Sequence, residues 1–136
     1  MDALLTAIFS KLSGSNFSND VGGRIFVDQA PANAEFPYAV INIVSDVPEN
    51  VFAKLGESVM VQFSLFSTST SLVEITGMFN DLKALFDDCS LTITGYTLSW
   101  CRRSNLTTMA EDITTPEGTS LCRHWAVDYE IDIEAS

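Results

Sequence analysis

The sequence predicts an α+β fold: a mixed, largely antiparallel sheet of about four to five strands, with two helices packed mainly on one face, in the order α-β-β-β-α-β-β. Three runs carry that reading. In ESVMVQFSLFS, Val59, Val61, Phe63 and Leu65 recur at every second position between Ser58, Gln62 and Ser64, the period of a half-buried strand. After a polar break the period lengthens, because Leu72, Ile75, Phe79, Leu82 and Phe86 fall alternately three and four apart, with Met78 and Leu85 widening the stripe of a helix. The closing run SLCRHWAVDYEIDIEA sets Leu121, Trp125, Val127, Tyr129, Ile131 and Ile133 against His124, Asp128, Glu130, Asp132 and Glu134 on the opposite face. One sheet face and one helix stripe therefore have each other to bury.

The remaining elements follow in chain order. Leu4, Leu5, Ile8, Phe9 and Leu12 share one face of a first helix over residues 2–12, ended by Ser13 and Gly14. SGSNFSNDVGG reads as a linker, and it lacks the GK[ST] ending that a phosphate-binding loop requires. RIFVD is a short strand, and APANAEFP a turn-rich connector held extended by Pro31 and Pro37. YAVINIVSD is apolar on both faces at Val40, Ile41, Ile43 and Val44, which places it centrally in the sheet. Residues 46–57 then form a connection longer than a tight hairpin needs. Ser71 and Glu74 stand at capping-box spacing before the second helix, which ends at Asp87, Asp88 and Cys89. In LTITGYTLSWCRR, Tyr96, Leu98 and Trp100 lie on one side of a strand, with Ile93, Ser99 and Cys101 on the other. Residues 104–119 show little periodicity and read as a long protruding loop or arm, the kind of segment that is usually functional.

Composition bounds the function. At 136 residues, 46% hydrophobic and 18% charged, residues 1–136 form one domain with a core that needs no disulfides or metals. A net charge of −11 opposes any electrostatic grip on nucleic acid or an anionic membrane. No stretch of about 18 apolar residues is present to span a bilayer. The N-terminus, with its early Asp2, makes a poor signal peptide, and a cytosolic origin is expected. Cys89, Cys101 and Cys122 are an odd set without disulfide or zinc spacing and read as small buried side chains.

No enzyme motif emerges. The carboxylates of Asp128, Glu130, Asp132 and Glu134 repeat along one strand face about 7 Å apart, too spread for a metal cage, so a solvated sheet face leads, with a subunit interface or channel wall second. His124 and Asp128 share that face, yet a hydrolase built on them and Cys101 or Cys122 has no oxyanion signature, and a zinc site lacks a fourth ligand. Arg102, Arg103 and Arg123 are three of only seven basic residues and sit near the ends of strands that are candidate neighbours. No catalytic residue, cofactor or metal is assigned.

RIFVDQAPANAEFPYAVINIVSD, VMVQFSLFS, MFNDLKALFDDCSLTITGY, LTTMAEDITTPEGT and HWAVDYEI together resemble the tail-completion and tail-terminator proteins of tailed bacteriophages. The most telling element is Ala30-Pro31 followed by Phe36, Pro37 and Tyr38 leading into a strand. The resemblance implies a structural virion protein, present in host cytoplasm during assembly and then in the tail or neck. It implies a ring, usually a hexamer, that ends the tail tube or joins tail to neck through contacts with the tube protein and neck or connector proteins. DNA would transit without sequence-specific binding, and no membrane is involved. On that reading Leu106, Met109, Glu111, Asp112, Ile113 and Glu117 of the arm, with Arg102, Arg103 and Arg123, are candidate subunit or partner contacts. Asp128, Glu130, Asp132 and Glu134 are the candidate channel or interface face. The alternative is an acidic, DNA-mimicking module that recruits a basic partner.

Overall fold

The computed structural model describes residues 2–51, 54–115 and 118–135. Its elements are α1 (Asp2–Leu12), α2 (Asn16–Asp20), β1 (Ile25–Val27), β2 (Tyr38–Val51), β3 (Lys54–Ser67), α3 (Val73–Phe86), β4 (Tyr96–Thr115) and β5 (Gly118–Ala135). The sheet runs β1-β2-β3-β5-β4, with β1 parallel to β2 and every other neighbouring pair antiparallel. The expected α+β class and mixed, mainly antiparallel sheet are therefore present. The middle strand is β3, with β2 one place to its side.

The alternation in β3 does what its period demands. Val59, Val61, Phe63 and Leu65 are fully buried, level with Ala39 and Ile41 of β2 and with Val127, Tyr129 and Ile131 of β5. These side chains meet Leu4, Ile8 and Leu12 of α1 and Ile75, Met78, Leu82 and Phe86 of α3 in one core cluster. Each such burial contributes about 1.5–3 kcal/mol. The even-numbered side of β3 and β5 is left without a covering helix, and we call it the open face.

Several expectations change. The described residues form three helices, because Phe17 of the supposed linker is fully buried and organises α2. Ser15 caps this helix, its Oγ accepting from the Ser18 N–H at 3.1 Å and donating to the Leu12 carbonyl at 2.6 Å. The connection expected at 46–57 is instead the continuation of the β2–β3 hairpin, paired out to Val51 and Lys54. The capping box does not form: Glu74 accepts from the Ser67 hydroxyl at 2.6 Å, and Leu72, expected in the core stripe, is 54% exposed. Strand structure begins at Tyr96, not Leu91, since Gly95 turns the chain with φ of 85° and leaves Ile93 only an isolated bridge to Tyr96.

The largest correction concerns residues 104–119. The described residues among them are strand: Ser104–Thr115 continue β4, and β5 starts at Gly118, with pairing from Tyr96↔Ala135 out to Thr115↔Gly118. The last partner of β5 on β3 is Ser67, opposite Arg123. Beyond that point the β4–β5 hairpin stands as a two-stranded ribbon without a third strand.

Where α2 meets α3, loss of hydration first, and then the hydrogen bond and charge of Asp81, push the Asp20 carboxyl up to about 7. A raised carboxyl binds its proton more tightly when folded, so this stabilisation is complete below pH ~4 and fades as pH rises through about 7. Asp20 is exposed, so the effect on stability is small. Asp20→Asn is expected to flatten the decline in melting temperature between about pH 5 and 8, a change read by thermal scans across that range.

Candidate functional site

The open face divides into an acidic half and an aromatic half. Along β5, Asp128, Glu130, Asp132 and Glu134 all point to this face because their odd-numbered neighbours enter the core. Asp128 accepts from Gln62 Nε2 at 2.9 Å, and Glu130 accepts from the Ser58 hydroxyl at 3.2 Å. Across on β4, Arg102 is level with Glu130 and Trp100 with Asp132. The Arg102 guanidinium lies over the Trp100 ring, 3.6 Å from its centroid. One bulge sets this arrangement. A register shift between Leu98 and Trp100 sends Leu98 toward the core and Trp100 to the open face, although simple alternation had put both on one side.

Toward the other end, rings follow one another across four strands. Phe26 meets Tyr38 edge-on at 6.0 Å, Tyr38 stacks on Phe66 at 4.8 Å, and Phe66 stacks on His124 at 4.2 Å. Phe36 joins at 5.0 Å from Tyr38, so the Phe36-Pro37-Tyr38 motif is the entrance to this row. Arg24 holds that entrance, its Nε donating to the carbonyls of Glu35 and Pro37, each at 3.1 Å. Gly22 makes the room: its φ is +59°, and a Cβ there would lie 2.7 Å from Arg24 Nη1.

The arm's residues take alternate sides. Met109, Glu111 and Ile113 share the open face with His124, Cys122 and Ser120, whereas Leu106 lies opposite Val127 and packs against the core, and Asp112 is level with Leu121. Met109 and Leu121 are 43% and 40% exposed. Glu117 lies outside the described residues.

The three arginines are not brought together. A second bulge, between Arg103 and Asn105, places Arg103 opposite Tyr129 on the helix-bearing side. There Arg103 pairs with Asp87 at 3.4 Å and lies over Phe79 at 5.3 Å. The Tyr129 hydroxyl donates to the same Asp87 at 2.5 Å, and burial followed by that bond pushes Tyr129 far above the usual phenol range. Asp87, which reads in the sequence only as a helix end, thus ties the end of α3 to both β4 and β5. Asp87→Ala strands the Tyr129 hydroxyl and is expected to cost about 1–3 kcal/mol in denaturant unfolding, with Asp87→Asn, which keeps an acceptor, costing less. Arg123 points instead to the helix-bearing side of the arm's root, and its Nη1 is buried with no hydrogen-bond partner among the described residues.

The thiol and imidazole chemistry is quiet. Burial lowers the His124 pKa, while burial and then the charge of Glu111 raise the Cys122 thiol. Both shifts oppose the thiolate–imidazolium pair that a cysteine nucleophile needs. The Cys89 sulfur beside it, and then burial, push the Cys101 thiol up, and its S–H donates to the Phe86 carbonyl at 3.4 Å. Among the described residues no group of three His, Cys, Asp or Glu side chains is placed to hold a metal ion. Among the same residues no helix is long and apolar enough to cross a membrane.

Comparison with known proteins gives two positive findings. A family model described as "Tail completion protein gp17" matches residues 6–134. Among solved structures, the chain is similar to a chain of "Virion of native gene transfer agent (GTA) particle", with a TM-score of 0.75 at 10% sequence identity, covering 96% of this chain and 93% of that one. At that identity the likeness is one of fold. No curated protein matches the chain.

Proposed function

The chain belongs to the tail completion protein gp17 family, and from that premise we propose that it assembles as a ring, a hexamer, that ends the phage tail tube or joins tail to neck while DNA passes through. It is a structural protein of the virion tail, and the ring is the form in which it acts. The observation that carries the assembly reading is the arm. A two-stranded ribbon that leaves its sheet is at best marginally stable in water. This one also exposes Leu121, with Met109 exposed just inside its root, which favours a neighbouring subunit or tail partner alongside it.

The acidic open face is the surface we assign to the conduit. Six copies carry roughly −66 formally, and carboxylates along a wall repel phosphate, so passing DNA does not adhere. Acting by assembly, the protein needs no catalytic group. The test is the copy number of this chain in purified particles, by quantitative mass spectrometry against the major capsid protein. About six copies per particle is the expected result. Its absence from complete particles overturns the ring and leaves the acidic face to a basic protein partner instead.

A further inference from the structure

Two exposed apolar patches lie at opposite ends of the sheet. Toward the free end of the β2–β3 hairpin, Leu55 is 65% exposed on the helix-bearing side and Val47 is 55% exposed on the open side, so an apolar side chain is presented to solvent on each surface. At the far end a cavity of about 450 Å³ opens between the start of α3 and the root of the arm, lined by Leu72, Thr108, Met109, Ala110, Arg123 and Trp125. Arg123 supplies its charge, and among the described residues its Nη1 has no acceptor.

The two patches are complementary in charge as well as polarity. Asp46 and Glu57 crowd each other beside Leu55 on the helix-bearing side of the hairpin, where loss of hydration and then the Asp46 charge push Glu57 up. An arginine brought to this pair relieves the repulsion. One molecule cannot supply both halves of the contact. The hairpin turn lies at the Lys54 end of β3 and the cavity at its Ser67 end, roughly 40 Å apart for an extended strand of this length.

We propose that the β2–β3 hairpin of one copy seats in the Leu72–Arg123 cavity of the next, with Leu55 filling the apolar part and a carboxylate of the Asp46–Glu57 pair accepting from Arg123. This joins one patch to a different patch, the heterologous contact that a closed ring requires. The proposal rests on the ring reading above and adds to it which surfaces meet.

A disulfide trap tests the contact. Leu55→Cys combined with Leu72→Cys changes two exposed side chains, and in a Cys89→Ala background it is carried into particles and oxidised with diamide. A ladder of cross-linked species up to the ring's copy number is expected, with each single variant staying monomeric on a non-reducing gel. Normal copy number without cross-links overturns the contact and leaves the ring standing, whereas a copy number of about one overturns the ring itself. In parallel, Arg123→Glu is expected to lower incorporation at least about tenfold, and adding Glu57→Arg to restore it. If the trap variant does not incorporate, failure of that charge-swap rescue overturns the proposal.

Discussion

Shortening the arm is expected to yield a folded protein that no longer enters particles. Glu111 and Cys122 pair across the hairpin, so joining them through an Asn-Gly turn removes residues 112–121 and keeps a two-residue connection suited to antiparallel strands. Everything that β5 shares with β3 is retained, because that pairing ends at Ser67↔Arg123. The buried Cys122 also stays. The melting temperature should therefore move by no more than about 5 °C, the shift that roughly 1 kcal/mol produces in a domain of this size. Copy number in particles, by contrast, is expected to fall from about six to none. Normal incorporation of the shortened chain would remove the arm from the assembly mechanism. A cut further back, at Leu106, confounds the two readouts, since Leu106 packs against the core opposite Val127.

The second large effect is on folding. Phe63 sits in the middle strand, level with Ile41 on one side and Val127 on the other, and is fully buried. Its ring lies 4.9 Å from Phe86 of α3 and 5.7 Å edge-on from Tyr129 of β5. Phe63→Ala removes the group that joins helix to sheet at the centre and leaves a cavity, at a cost of about 3–5 kcal/mol. In thermal unfolding the expected fall is on the order of 10–20 °C. Phe66→Ala makes a useful comparison. That residue is next but two along the same strand and lies on the open face, half-buried between Tyr38 and His124, so its loss should cost much less. Equal losses at both positions would mean that the open face is as deeply covered as the core, contrary to the description above.

These contrasts mark what could be read from the chain alone. Val59 to Leu65, the stripe from Ile75 to Phe86 and the run from Val127 to Ile133 announced their elements because each has one face in the core. A period in the sequence is the record of one-sided burial, and where burial is one-sided the record is clear. The acidic face followed from the same logic: if Tyr129, Ile131 and Ile133 enter the core, Asp128, Glu130, Asp132 and Glu134 must leave it. The family resemblance was legible too, through the Ala30-Pro31 and Phe36-Pro37-Tyr38 elements, and the match across residues 6–134 agrees with it.

What stayed hidden had no such record. Residues 104–115 form strand, yet their sequence reads as a loop, because β4 is an edge strand whose outer part leaves the sheet and buries neither face consistently. Alternation puts Trp100 on the side of Leu98, and the structure puts it on the other; two bulges in β4 shift the register, and alternation cannot be counted through a bulge to Trp100 or Arg103. Asp87 looked like a helix end, and its bonds to Tyr129 and Arg103 exist only because α3, β5 and β4 converge there. The sequence by itself determined the class of fold, most of the core side chains (though not Phe17, and with Leu72 wrongly among them), the acidic face and the family, because each depends on local periodicity or on a short run of residues. Only the tertiary structure decided which strands are neighbours, where the hairpins project and that Arg123 Nη1 is buried without an acceptor among the described residues. Those depend on residues far apart in the chain meeting in space, and no local pattern encodes that meeting.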